Sequence, residues 1–335
     1  MTIYKDTTGR YSIDAAEPYT VEGGAGNLYN IARGHFDGLA DLIRWLDASP
    51  ILNQQSGEIY SQRNDPDEWS GTRTYAEARS LVMNGWKEGR DKMEPAMAAA
   101  IAATAPMPSK APRFDVAGEF PDVARFIAGD PMNMVREVRA SQRRRPVIKV
   151  VTSISAESNV STKAMIYRGA AILAQVDAWE AAGWSVEIIA TEESTNNHAR
   201  GIPFGFQHGA FRNDGFGMVT EITLKKAGEP MDLDALTFAM IHPAMLRRFS
   251  LGAQERIDLN LAYRNSYGRP TSLEILANAY TGRTIAQAMA DEGPFVYFPP
   301  INGSMADLYS SQRRAVKTVQ KFASRAVFST EENAA

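Results

Sequence analysis

The chain has 335 residues, 44% of them apolar, enough for one large domain or two ordinary ones around a real core. Its formal charge of −3 gives no global attraction to nucleic acid or to an anionic membrane, so such a contact would have to come from a local basic patch. Cysteine is absent, which excludes disulfides, thiolate metal ligands and cysteine nucleophiles and fits a reducing compartment.

Residues 1–26 are mostly polar, carry no helical or strand period, end in Val21-Glu22-Gly23-Gly24-Ala25-Gly26, and are predicted to form a flexible arm. They have no basic segment followed by an apolar one, and no later stretch approaches the length of a membrane span. The protein is therefore expected in the cytoplasm, with no membrane partner.

Residues 27–112 read as a helical N-terminal region ending in a linker. Leu39, Leu42, Ile43 and Leu46 have the spacing of one buried helix face. Thr74 with Glu77 three residues on has the capping-box spacing, and Ala78, Leu81, Val82 and Trp86 follow on one face. Trp69 and Trp86 are expected to anchor this region's core. An Ala-rich helix over 96–105 is stopped by Pro106, and Pro106, Pro108 and Pro112 make a stiff linker.

Residues 113–330 read as an α/β domain. A short helix over 121–128 and the turn Gly129-Asp130-Pro131 precede a basic stretch with Arg136, Arg139, Arg143, Arg144 and Arg145. Next come a strand over 147–151, a Ser-rich turn, a helix with Met165, Gly169, Ile172, Leu173, Val176 and Trp179 on one stripe, and a strand over 186–189. Residues 218–224 suit an edge or antiparallel strand. The run 236–241 is predicted as a buried strand, with Pro243 opening a helix that carries Met245, Leu246 and Phe249. Another helix is expected from Thr271-Ser272, a strand over 295–298, and a last helix with Val316, Val319, Phe322, Ala323 and Ala326 on one face. Helices alternating with strands in this order imply a mainly parallel sheet flanked by helices.

That order, with its Ser-x-Ser turn, resembles the von Willebrand factor A fold. The stretches Trp69-Ser70-Gly71-Thr72, Gly85-Trp86-Lys87-Glu88-Gly89, Arg168-Gly169-Ala170-Ala171, Glu180-Ala181-Ala182-Gly183-Trp184-Ser185-Val186-Glu187 and His242-Pro243-Ala244-Met245-Leu246-Arg247-Arg248 are similar to a family of uncharacterised proteins encoded by bacteriophages and related elements. The resemblance runs from about Phe36 onward and implies a fold but no reaction. In the von Willebrand fold the turn reads Asp-x-Ser-x-Ser and holds a divalent cation. The matching positions here are Ser153, Ile154, Ser155, Ala156 and Glu157, so the leading carboxylate is missing. No cofactor is expected unless Glu157 supplies the charge, in which case Ser153, Ser155 and Glu157 would hold magnesium. The alternative is a turn whose hydroxyls cap the next helix.

Other candidates compete with bland readings. The Gly-rich loop over 198–217 carries Phe204, Phe206, Phe211 and Phe216, which either contact another protein or subunit or fold back onto the domain. His198, His208 and Asp214 in that loop match no standard zinc spacing. Arg143, Arg144 and Arg145 could meet phosphate, with Arg136 and Arg139 extending the charge; the plainer reading is a solvated helix end. Arg247 and Arg248 carry the same plain reading, and His242 at a strand end is expected to be a hydrogen-bonded structural residue. The phosphate-binding P-loop, the His-Glu-x-x-His zinc motif and the Gly-x-Ser-x-Gly elbow are all absent.

The residues thus favour a non-enzymatic protein-binding or assembly module, and the resemblance implies a phage origin, with action in the infected host's cytoplasm or in the virion. The alternatives are a nucleic-acid-binding protein using residues 136–145 and a metal-dependent enzyme at the 153–157 turn.

Overall fold

A computed structural model describes residues 11–14, 28–52, 59–65, 69–104, 113–117, 120–136, 146–157, 160–195, 215–256, 269–274, 277–278, 284–303 and 305–324. The chain opens with strands β1 (Tyr11–Asp14) and β2 (Leu28–Phe36) and helices α1 (Leu39–Ala48), α2 (Tyr75–Asn84) and α3 (Lys87–Ala103). A small unit follows: β3 (Arg113–Asp115), β4 (Phe120–Pro121), α4 (Val123–Ile127) and β5 (Met134–Arg136). Then come β6 (Val147–Ser153), α5 (Thr162–Ala181), β7 (Ser185–Thr195), β8 (Gly215–Lys225) and α6 (Leu233–Ile241). A π-helical turn (Met245–Ser250) runs into α7 (Leu251–Gln254), followed by β9 (Arg269–Pro270), β10 (Ala277–Asn278), α8 (Ile285–Asp291) and β11 (Phe295–Phe298). A 3-10 turn (Ala306–Tyr309) and α9 (Gln312–Ala323) come last.

Two sheets form. The large one has the order β1-β2-β8-β7-β6-β11, with β9 on β7 and β10 on β2; the small one is β3-β5-β4. Within the large sheet β6 runs parallel to β7 and β11, and β2 parallel to β8, whereas β7 and β8 are antiparallel. A parallel pair needs a crossover, which α5 supplies between β6 and β7. The result is a mainly parallel α/β sheet flanked by helices, consistent with a von Willebrand factor A-like arrangement.

Sequence explains the central unit well. The Ser161 side chain accepts from Ala164 N at 3.2 Å and so starts α5, and Gly183, at φ +94°, follows its end. Residues 168–176 of α5 are all buried, because the helix is wedged between the sheet and the neighbouring helices α3 and α9. Gly169 permits the close approach of α3: a Cβ there would lie 2.9 Å from Met93 Cε. One face of the sheet carries Ile148, Val150, Val186 and Ile188 under α5 and α9, and Ala32, Phe36, Met218 and Ile222 under α1 and α6. The other face has a smaller cluster of Ile31, Val151, Ile189, Val219 and Tyr297 under Leu273 and α8.

The structure departs from the sequence reading in several places. Within the expected arm, residues 11–14 form β1, and the start of the expected helical region is β2, paired along Tyr29–Phe36 with β8. A strand placed by a partner nearly two hundred residues away leaves no local signature. Strand β8 is antiparallel to β7, one of the two expected placements, and because β2 lies outside it, it is not an edge. The region 27–112 also shares the core of the α/β part, since Met93, Met97 and Ala100 of α3 pack with α5 and β6. Residues 236–241 are helical, not extended: Asp232 caps α6 by accepting from Asp234 N and Ala235 N, and Leu236 to Ile241 are buried all round. A continuous apolar run does not distinguish the two states. No helix starts at Thr271; α8 begins after Thr284, which forms a capping box with Gln287.

Candidate functional site

Strand β7 continues past its apolar start through Thr191, Glu192, Glu193, Ser194 and Thr195, all buried. Alternation sends Thr191 and Glu193 to the face of Val151 and Ile189, and Glu192 and Ser194 to the opposite one. The strand registers then align Ser153, Thr191, Glu221 and His35 across β6, β7, β8 and β2, and align Glu193, Val219 and Arg33 in the next register on the same face. A polar row crosses the sheet.

At its buried end, the Ser153 hydroxyl donates to Glu193 Oε2, Thr191 Oγ1 donates to Glu193 Oε1 at 2.5 Å, and the Tyr297 hydroxyl donates to the same oxygen at 3.1 Å. Leu273 N donates to the Tyr297 hydroxyl at 3.2 Å, which fixes the ring. The Ser155 hydroxyl accepts from Glu193 N at 3.2 Å, prolonging the β6–β7 ladder beyond the last strand residue. Beneath the turn, Arg168 is 3% exposed and donates to Ser153 O (2.7 Å), Phe298 O (2.9 Å) and Pro299 O (3.0 Å). Burial pushes the Glu193 carboxyl up to about 7 against the opposing pull of its hydroxyl donors and of Arg168.

The other end of the row reaches solvent. Arg33 Nε donates to Glu221 Oε1 at 2.6 Å, His35 Nδ1 lies 3.6 Å from Glu221 Oε2, and the His35 side chain is 47% exposed. Thr223 Oγ1 and His35 Nε2 are 3.3 Å apart. The Glu221 carboxylate raises the His35 pKa, whereas burial of Glu221 is outweighed by His35 and Arg33, so its own pKa is lowered. On the reverse face, Gln254 Nε2 donates to Glu192 Oε1 at 3.3 Å and to Ser194 Oγ at 3.1 Å, while burial and the Glu193 charge push Glu192 up to about 8. The row therefore pairs a protonatable buried carboxyl at one end with an exposed imidazole at the other. Glu193, with no accessible surface, orders the sheet and does not touch a solute.

The three candidate magnesium ligands are engaged with the chain itself. Ser153 and Ser155 are committed to Glu193, and the Glu157 carboxylate accepts from Gly303 N at 2.7 Å, tying the turn to the segment after β11. Among the described residues no group of three His, Asp or Glu side chains is placed to hold a metal ion. Ser153 and Ser155 thus serve the neighbouring strand and do not cap the helix, whose cap is Ser161.

Arg143, Arg144, Arg145, Phe204, Phe206 and Phe211 lie outside the described residues, as do Arg139, His198, His208 and Asp214. Phe216 belongs to β8 by its backbone, opposite Asn30, and Arg136 to β5, opposite Arg113. His242 caps the end of α6 instead of a strand: its Nδ1 accepts from Ala244 N at 3.1 Å, its ring stacks 4.7 Å from Phe238, and burial pushes its pKa down to about 4. Arg248 is fully buried, not solvated, and Trp69 is 40% exposed, not a core anchor; Trp86 does pack edge-on against Phe238 and His242. Sequence reasoning missed Glu192, Glu193, Glu221, Arg33, Tyr297 and Arg168. The one available signal was the adjacent pair Glu192-Glu193 directly after an apolar strand.

No described helix is long and apolar enough to cross a membrane. No curated protein and no solved structure matches the chain. A family model described as a domain of unknown function, DUF7192, matches residues 12–321, from β1 through most of α9, and the chain belongs to that family.

Proposed function

We propose that the chain is a non-enzymatic protein-binding or assembly module whose contact surface is the small sheet β3-β5-β4 with α4. One observation carries this reading. Five of the eleven exposed large apolar side chains among the described residues lie between positions 116 and 132: Val116 (67%), Val123 (66%), Phe126 (65%), Ile127 (78%) and Met132 (44%). Scattered single hydrophobes on a surface need no explanation, but several gathered in one small unit mark an interaction site. Polar contacts keep this unit in shape. Asp122 caps α4 by accepting from Arg125 N at 2.9 Å, and Arg125 reaches Asp130 at 2.9 Å while lying 3.8 Å from the Phe114 ring centroid. The unit's polar groups hold its shape while these five apolar side chains face outward.

The resemblance to bacteriophage-encoded proteins suggests the setting, an assembly in the cytoplasm of an infected cell or in the virion. The phenylalanine loop over 204–216 is a further contact under this reading. The arginines at 143–145 would serve the alternative, nucleic-acid binding. Size-exclusion chromatography of extracts from the producing cells tests the proposal. The wild-type chain is expected in a species larger than one chain, and Phe126→Ser with Ile127→Ser is expected to elute as a single chain with an unchanged melting temperature. A wild-type monomer, or a variant that co-elutes with the wild type in the larger species, overturns it.

A further inference from the structure

Ahead of α2, the loop containing residues 59–65 and 69–74 is fastened down with unusual thoroughness. Arg248, with no exposed surface, donates through Nη1 to Ser61 O (3.1 Å) and Arg63 O (2.7 Å), through Nη2 to Thr72 O (2.7 Å) and through Nε to Thr72 Oγ1 (3.2 Å). Asp65 accepts from Ser70 N at 2.6 Å and from the Ser70 hydroxyl at 2.5 Å, and its own amide donates to Arg73 O at 2.8 Å. Ser61 N donates to Glu255 at 3.0 Å. Gly71, at φ +74°, packs so closely on the end of α6 that a Cβ would lie 3.1 Å from His242 and from Pro243.

What the fastened segments 59–65 and 69–74 display is an exposed tryptophan between arginines. The Arg247 guanidinium lies 4.5 Å from the Trp69 ring centroid and donates to the Trp69 carbonyl. The Arg63 guanidinium lies 5.6 Å from the same ring and 4.5 Å from that of Tyr60. Among the described residues Arg247 has no carboxylate within ion-pair distance, the nearby Asp65, which acts on it electrostatically, being taken up by Ser70. A guanidinium stacked on an indole keeps its edge donors for a planar anion, and Trp, Tyr and Arg are the residue types that carry most interface energy. Segments already fixed in place lose little freedom on binding.

We propose that Trp69 and Arg247, with Arg63 and Tyr60, form a second docking platform for a protein partner that sets one carboxylate against Arg247 and an apolar side chain on Trp69. A nucleic-acid strand fits less well. It needs a track of cations, whereas this loop's sequence carries Asp65, Asp67 and Glu68, and the neighbouring Arg79 is held by Asp47 at 2.9 Å. A single carboxylate tolerates those neighbours better than a row of phosphates does. The proposal rests on the protein-binding reading but uses a different surface from the β3-β5-β4 unit, so the two fail separately.

The test uses the full chain with its tryptophan indoles labelled for NMR, the Trp69 signal being assigned as the one lost in Trp69→Phe. The probes are the capped peptide Gly-Phe-Glu-Gly, its counterpart Gly-Phe-Gln-Gly, and a short oligothymidylate. The glutamate peptide is expected to shift the Trp69 signal saturably, and the glutamine peptide to bind about tenfold more weakly. Arg247→Gln is expected to lower the glutamate peptide's affinity by a similar factor, with the other indole signals in place. Phe126→Ser with Ile127→Ser is expected to leave the response unchanged. No shift with the glutamate peptide, or an equal response to the glutamine peptide, overturns the proposal without bearing on the apolar unit. A saturable shift with oligothymidylate overturns it in favour of nucleic acid.

Discussion

The two sheets of this protein invert the usual partition of polar and apolar groups in opposite directions. The large sheet buries Ser153, Thr191, Glu192 and Glu193, none more than 2% exposed, while the small unit exposes Val116, Val123, Phe126 and Ile127, each at 65% or more. They differ in where the compensation comes from. Glu193 gathers hydroxyls from Ser153, Thr191 and Tyr297, so the cost of burial is offset inside the chain. The apolar side chains of the small unit gain their burial energy, about 1.5–3 kcal/mol for a full-sized side chain, only when a second surface covers them. On the proposed reading the polar row is structure and the apolar unit is contact.

The strongest way to break this contrast is to remove the compensation. Arg168→Ala strips two buried carbonyls and one part-buried carbonyl of their donor and is expected to lower stability by about 3–5 kcal/mol in urea denaturation, in the range of a broken buried polar network. A loss under about 1 kcal/mol would mean that the carboxyl ends of β6 and β11 hold together without it.

Next in size is the dependence on pH. Glu192 and Glu193 have folded values of about 8 and about 7, above the ordinary 4.5, so between those limits the folded chain keeps protons that the unfolded chain has released. Their contribution to stability is therefore full below about pH 4.5 and falls as pH rises toward 8, by at most about 1.4 kcal/mol per pH unit for each group, opposed below about pH 6.5 by His242, whose lowered value of about 4 makes its contribution rise with pH. His35 acts in the same direction as the two glutamates, because a raised histidine stabilises below its ordinary value and loses that contribution as pH climbs through the folded one. Thermal melts at successive pH values should show Glu192→Gln more stable than the wild type at pH 8 and nearly equal at pH 5. A wild-type melting temperature that stays flat or rises from pH 5 to pH 8 contradicts the assignment.

The smallest effect on stability belongs to the exposed side. Phe126→Ser with Ile127→Ser is expected to change unfolding free energy by no more than about 0.5 kcal/mol, as surface substitutions do. A large loss would show that these side chains are part of a core.

How much of this was legible follows from where each signal lives. The helical stripe of α5, the face of α9, the N-cap at Thr74 and the strand β11 are local patterns, and local patterns survive translation into structure; at Thr74 only half of the expected capping box forms, because Glu77 accepts from Arg73 N and not from the Thr74 amide. Strand β2 was illegible because β8, far along the chain, makes it a strand. Helix α6 was misread because burial on every side erases period. The polar row was illegible because Ser153, Thr191, Glu221 and His35 become neighbours only through three strand registers. At the serine turn the sequence located a polar centre, but the carboxylate it lacked in line came from Glu193 on the next strand, where it binds hydroxyls and orders the sheet.

Placing a photo-crosslinking phenylalanine analogue at position 126, with one at the exposed position 163 as control, tests the central claim most directly in cells producing the protein. The account predicts a discrete adduct from position 126, to a second copy or to one partner, and none from 163. The same diffuse products from both positions, or none from either, would contradict it.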